Sequence, residues 1–123
     1  MSHAESDLIR SSLDLLILKA LTWGPAHGYA ISEWIEGATR DLLLIEEGTL
    51  YPALHRLEKR GFIAAEWGVS ENGRRAKFYS LTPEGRTRYR AESRVWHRHA
   101  GAIAGALRQA SLRSASGHAQ ECP

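Results

Sequence analysis

The chain is poor in the residues that staple a protein or anchor it in a bilayer. Of its 123 residues one is cysteine, one is methionine, four are proline and two are phenylalanine. The single thiol, Cys122, closes no intrachain disulfide, so a cross-linked secreted scaffold is excluded and a reduced, cytoplasmic setting is expected. Long apolar runs are also missing. The longest, Leu15 to Leu18, stops at Lys19 after four residues, far short of the roughly 20 that span a bilayer. Asp7 and Asp14 flank that stretch and no basic cluster precedes it, so a secretory leader is not expected either. There is no Gly-x-Ser-x-Gly elbow, no phosphate-cradling glycine loop and no His-Glu-x-x-His helix, so neither an enzyme nor a bound cofactor is expected.

Charge is unevenly distributed. The formal net charge of +2 hides an acidic half and a basic half. Residues 1 to 50 carry eight acids against Arg10, Lys19 and Arg40, a net of −5, whereas residues 51 to 123 carry thirteen Lys or Arg against six acids, a net of +7. Of the 16 basic residues 13 are arginine, the side chain whose planar fork fits phosphate and guanine. Such asymmetry points to a polyanionic partner.

Hydrophobic spacing divides the chain into elements. From about Asp7 to Trp23, Leu13, Leu16, Ile17, Ala20 and Leu21 recur at helical spacing, and Gly24-Pro25 ends the run. Leu8, Ile9, Leu15 and Leu18 lie off that stripe, so this helix is expected to be buried on a second side as well, by a second subunit. A second helix is predicted from about His27 to Ala38, through Ile31, Trp34, Ile35 and Ala38. A third begins around Glu47 to Thr49. Its buried stripe is Leu50, Ala53, Leu54 and Leu57, and its opposite face is Gly48, Thr49, Pro52, His55, Arg56 and Lys59, small, polar or basic throughout. Pro52 is tolerable if it falls within the first turn or so, and Gly61 is placed to terminate the helix.

Phe62 to Val69 and Ala76 to Leu81 are rich in strand formers, and Asn72-Gly73 between them is a strong hairpin signal. The tip and descending strand of that hairpin carry Arg74, Arg75 and Lys77. Thr82 as N-cap and Pro83 at the first helical position open a long helix predicted to reach about Ala110. Its apolar positions Tyr89, Trp96, Ala100, Ile103, Leu107 and Ala110 fall near heptad spacing, a seam that needs a partner helix. Residues 111 to 123 are small and polar and are expected to form a disordered tail.

Three helices followed by a basic hairpin make a winged helix-turn-helix, mainly α with a small β-hairpin, an α+β fold here extended by a long C-terminal dimerisation helix. In that fold the third helix enters the major groove of DNA and the wing lies on the backbone or minor groove beside it. The third helix suits this role: one side is apolar and the other can meet bases and phosphates. Gly48 and Thr49 leave room for a phosphate at the helix N-terminus. The domain is expected over 7 to 81 and the dimerisation helix over 82 to 110.

The same segments resemble a family. HGYAI (His27 to Ile31), EEGTLYPALHRLEKRGFI (Glu46 to Ile63), W-x-x-S-E-N-G-R-R-x-K-x-Y (Trp67 to Tyr79) and LTPEG (Leu81 to Gly85) are similar to motifs of the PadR family of bacterial transcriptional regulators, over roughly residues 10 to 110. The resemblance implies a homodimeric repressor that binds an inverted-repeat operator in double-stranded DNA. It also implies control of a neighbouring transporter, detoxification or stress operon, and release by a small molecule.

Position by position, it implies recognition-helix contacts from Tyr51, His55, Arg56 and Lys59, wing contacts from Gly73, Arg74, Arg75 and Lys77, and a backbone-facing Tyr29. Where many members carry a hydroxyl residue near the start of the third helix, this chain has Glu46 and Glu47. Those carboxylates suit the helix dipole but repel phosphate.

Leu8, Ile9, Leu15, Tyr89, Trp96, Ala100, Ile103 and Leu107 are the expected dimer contacts. Trp96 is also the candidate to sandwich a small aromatic or drug-like effector, with dimer core as its alternative. Gly101 and Gly105 would permit close helix packing at the same seam. His97 and His99 point to nearly opposite sides of a helix and do not form a metal site. Two rival readings are a winged helix that binds a small ligand without DNA, and one that holds a partner protein on its third-helix face.

Overall fold

The strongest local signals in the chain are its helix ends, and these set the frame. The computed structural model describes residues 3–112. Its helices are α1 (His3–Ala20), α2 (Gly28–Ala38), α3 (Glu47–Lys59) and α4 (Pro83–Leu107), and its strands are β1 (Ala26–His27), β2 (Ile63–Val69) and β3 (Arg75–Leu81). A single 3-10 turn, Leu21–Trp23, follows α1.

Each boundary has a physical cause. At the start of α2 the His27 ring accepts a hydrogen bond through Nδ1 from the Ala30 amide at 3.1 Å, an N-cap made by imidazole in place of the usual hydroxyl or carboxylate. Arg40 and Asp41, both left-handed, turn the chain out of α2. The Asp41 amide donates to the Glu36 carbonyl at 2.8 Å, and the Ile45 amide donates to Oε2 of Glu36 at 3.0 Å. That carboxylate thereby fixes the loop that drops Ile45 into the core.

Helix α3 closes with a Schellman motif. The Phe62 amide donates to the Leu57 carbonyl and the Gly61 amide to the Glu58 carbonyl, both at 3.0 Å, with Gly61 left-handed at φ 82°. At the start of α4, Thr82 Oγ1 accepts from the Gly85 amide at 3.0 Å and donates to the Gly61 carbonyl at 2.6 Å. One hydroxyl therefore caps α4 and ties it to the end of α3. Gly85 is obligatory here, because a Cβ at that position would overlap the Phe62 carbonyl oxygen.

The hairpin is tighter in specification than Asn72-Gly73 alone predicts. A two-residue type I′ turn needs two positive φ angles, yet among the described residues in the turn only Gly73 has one. The Gly73 amide donates to the Ser70 carbonyl at 2.9 Å and the Ser70 amide to the Arg74 carbonyl at 2.7 Å, so this is a three-residue loop with Gly73 as its left-handed last member. The sheet also has a strand beyond the expected hairpin. In the order β1-β3-β2, all antiparallel, Ala26 pairs with Tyr79 and His27 with Phe78. Two residues are too few for a periodicity to reveal.

The core lies between α1, α2, α3 and one face of the sheet: Leu13, Ile17, Leu18 and Leu21, then Ile31, Ile35 and Ile45, then Leu50, Ala53, Leu54 and Leu57, with Ile63 and Tyr79. One expectation changes. Leu18, which the stripe leaves aside for a second subunit, is buried in its own chain. Tyr89, expected on the dimer seam, packs partly buried against the same core. Leu15 is half-buried, while Leu8 and Ile9 fall within α1 but their side chains lie outside the described residues.

The compact unit built on this core runs to Arg90, and a second unit starts at Ala91. In the second unit, Trp96, Ile103 and Leu107 are 49%, 58% and 80% exposed, and Ala100 is half-buried. Helix α4 stops at Leu107, short of Ala110, and most of the predicted tail lies outside the described residues. No helix among the described residues is long and apolar enough to cross a membrane.

Candidate nucleic-acid interface

Helix α3 starts at Glu47, so Pro52 lies past the first turn, deeper than the sequence argument places it. The amide it lacks would have met the Gly48 carbonyl, which belongs to an exposed residue. At the N-terminus the Glu46 side chain makes no capping bond, and the Thr49 amide donates to the Glu46 carbonyl at 3.0 Å. Thr49 is half-buried, whereas Gly48, Tyr51, Pro52, His55 and Lys59 are exposed. At about 100° per residue, Gly48, His55 and Lys59 form the centre of the outward face, Tyr51 one flank and Arg56 with Thr49 the other.

The two flanks meet different neighbours. On one, Arg56 Nη2 donates to Oδ1 of Asp14, on α1, at 3.0 Å. On the other, the Tyr51 ring lies against the start of α2, so close that a Cβ on Gly28 would sit 2.7 Å from its hydroxyl oxygen. The wing stands beyond Tyr51. Because Trp67 pairs with Lys77, Val69 with Arg75 and Ala65 with Tyr79, side-chain alternation puts Trp67, Arg75, Lys77 and Tyr79 on one sheet face. That face, with Tyr29 and Tyr51, walls a concave cleft of about 1020 Å³.

The three wing cations have different settings. Arg74 is exposed at the loop. The Arg75 guanidinium lies over the Trp67 ring, 4.8 Å from its centroid. Lys77, expected as a wing contact, directs Nζ to Oε1 of Glu58, on α3, at 3.5 Å, and lies 5.7 Å from the Tyr79 ring centroid. It joins wing to helix. Burial pushes the Tyr79 phenol above the ordinary tyrosine range; Lys77 pulls it down, and Glu58 and Tyr51 push it further up.

Among the described residues no carboxylate is paired with Lys59 or Arg74. Nor does any group of three or more His, Cys, Asp or Glu among them suit a metal ion. His97 and His99 each direct Nδ1–H to a backbone carbonyl one turn back, Ser93 at 2.7 Å and Val95 at 2.8 Å.

Sequence reasoning thus located α3 and the wing tip but left three participants without a role: Asp14, Glu58 and Trp67. The acids are carried by a helix stripe and a strand-adjacent helix end that look like ordinary solvated positions. Trp67 alternates correctly with its neighbours, and only the register shows which cation it faces.

The family model described as the transcriptional regulator PadR-like family matches residues 17–91. The chain belongs to the PadR-like family. A solved transcriptional regulator from Clostridium thermocellum is 38% identical, with 80% of this chain and 96% of that one covered at a TM-score of 0.72. A solved PadR family transcriptional regulator from Eggerthella lenta is 32% identical, covering 84% and 88% at a TM-score of 0.70. An uncharacterised protein of Lysinibacillus sphaericus is 38% identical over 81 residues, 66% of this chain and 74% of that protein. As a PadR-like winged helix, the chain has its matched span from the end of α1 through α2, α3 and the wing to the beginning of α4.

Proposed function

We propose that this PadR-like protein is a homodimeric DNA-binding repressor acting in the cytoplasm. The observation that carries the reading is that Tyr51 of α3 and Arg74 and Arg75 of the wing line one aromatic-walled cleft, while His55 and Lys59 are exposed on the outward face of the same helix. A duplex can meet both elements at once, α3 in its major groove and the wing on the adjoining backbone or minor groove. The dimer reading is supported by α4, whose Trp96, Ile103 and Leu107 are exposed among the described residues. Two copies would address half-sites of an inverted repeat spaced by one helical turn, roughly 10 bp, or a small multiple. The target is a neighbouring transporter or detoxification operon. An aromatic or drug-like effector at Trp96 that favoured another spacing of the two α3 helices would release the DNA by population shift.

A footprint on the DNA upstream of the coding region tests the reading directly. Protection of two symmetric half-sites is expected. Lys59→Ala and Arg74→Ala should each weaken binding by about 1–3 kcal/mol for a base contact, or lower the salt slope by about one for a phosphate contact. Full binding by the double variant would mean that these elements do not meet DNA, and a monomer in sedimentation would remove the dimer.

A further inference from the structure

Arg74 and Arg75 line the cleft, Arg56 stands on the far flank of α3, and the three are held in different ways. Arg56 is fixed by Asp14, an arrangement that occupies guanidinium donors. Arg74 is exposed and unpaired among the described residues. Arg75 is held by a ring. Its guanidinium lies 4.8 Å from the centroid of Trp67, a cross-strand diagonal contact, since Trp67 pairs directly with Lys77 and Arg75 with Val69. Lys77, the nearer competitor for the indole, is drawn to Glu58.

Stacking and ion pairing differ in what they leave over. A cation–π contact uses the flat face of the guanidinium, whereas its N–H donors radiate in the plane of the group and stay available to phosphate or base edges. Trp67 is itself 58% exposed although it is one of the largest apolar side chains. Its ring is not needed to fill the core of this chain, in which β2 contributes Ile63 as its buried residue.

Resting on the DNA-binding reading above, we propose that Trp67 is a positioning residue for DNA recognition, holding the Arg75 guanidinium by its face so that its donor edges are presented to the duplex. The stack restricts a long side chain before binding, so less rotamer freedom is lost when the contact forms. It also gives the Trp67 position a requirement for an aromatic ring that strand packing alone does not impose.

The test is a double-mutant cycle on the full-length protein, with two probes: a duplex covering the region upstream of the coding sequence and a mixed-sequence duplex of the same length. Trp67→Leu should bind roughly fivefold to tenfold more weakly and its salt slope should fall by about one, as for Arg75→Gln. Trp67→Phe should restore affinity to within about twofold, because a phenyl ring still offers a stacking face. In the Arg75→Gln background Trp67→Leu should cause no further loss.

Trp67→Thr, which retains strand propensity, is the second variant should Trp67→Leu lose its far-ultraviolet circular dichroism. Additive losses in the cycle, or full binding by Trp67→Leu or Trp67→Thr, would overturn the positioning role and leave the DNA-binding reading intact. Failure of the unmodified protein to bind either duplex would overturn both.

Discussion

Helix α3 and the part of α4 beyond Arg90 are both amphipathic, yet their apolar sides meet different fates. In α3, Leu50, Ala53, Leu54 and Leu57 are buried against α1, α2 and the sheet of the same chain. In α4, Val95, Trp96, Ile103 and Leu107 lie exposed. The hydrophobic pattern is the same kind of demand in both cases. What differs is whether that side is covered among the described residues, and on the proposed reading the α4 seam is covered by a second copy.

The comparison is most directly broken by truncating one side chain on each helix. Leu54 is fully buried, so Leu54→Ala should lower stability by about 2–5 kcal/mol in urea unfolding. Ile103→Ala, measured at a dilution that keeps chains apart, should change it by less than about 0.5 kcal/mol and should instead weaken self-association at higher concentration. Equal losses in dilute solution would mean that the α4 seam is buried within its own chain.

A smaller effect is expected where the α3 end meets the first turn of α4. Gly85→Ala forces a methyl group onto the Phe62 carbonyl and should destabilise by about 1–3 kcal/mol, read as a lower unfolding midpoint. A midpoint equal to that of the unmodified protein would show that the junction yields freely.

The smallest effect separates the two flanks of α3. Asp14→Asn removes the carboxylate that holds Arg56. The pair is partly exposed, of a kind worth about 0.2–1 kcal/mol, so binding to a mixed-sequence duplex should strengthen by no more than about fivefold. Weaker binding would assign Asp14 to supporting α3 and not to competing with phosphate.

Much of this could be read from the residues in order. The stripes of α1, α2 and α3, Gly61 as the left-handed residue after α3, Thr82-Pro83 as the start of α4 and Asn72-Gly73 in the wing turn are all short-range signals, because caps and turns are satisfied by groups a few residues away. The strand β1 was not legible, since two residues show no period and their order comes from pairing with β3. The settings of the cations were not legible either. Asp14 and Arg56 are 42 positions apart and Glu58 and Lys77 are 19 apart, so composition shows the charges but not which of them are already engaged.

By itself the sequence determined the four helices and the hairpin, their amphipathic faces and the concentration of arginine in the second half, since backbone preference, capping and hydrophobic period are properties of neighbouring residues. Only the tertiary structure decided that Leu18 and Tyr89 serve this chain's own core, that Lys77 binds the wing to α3, and that Arg75 rests on Trp67. The reason is distance along the chain. Each of these facts depends on helix packing or strand register bringing together side chains that no local rule relates.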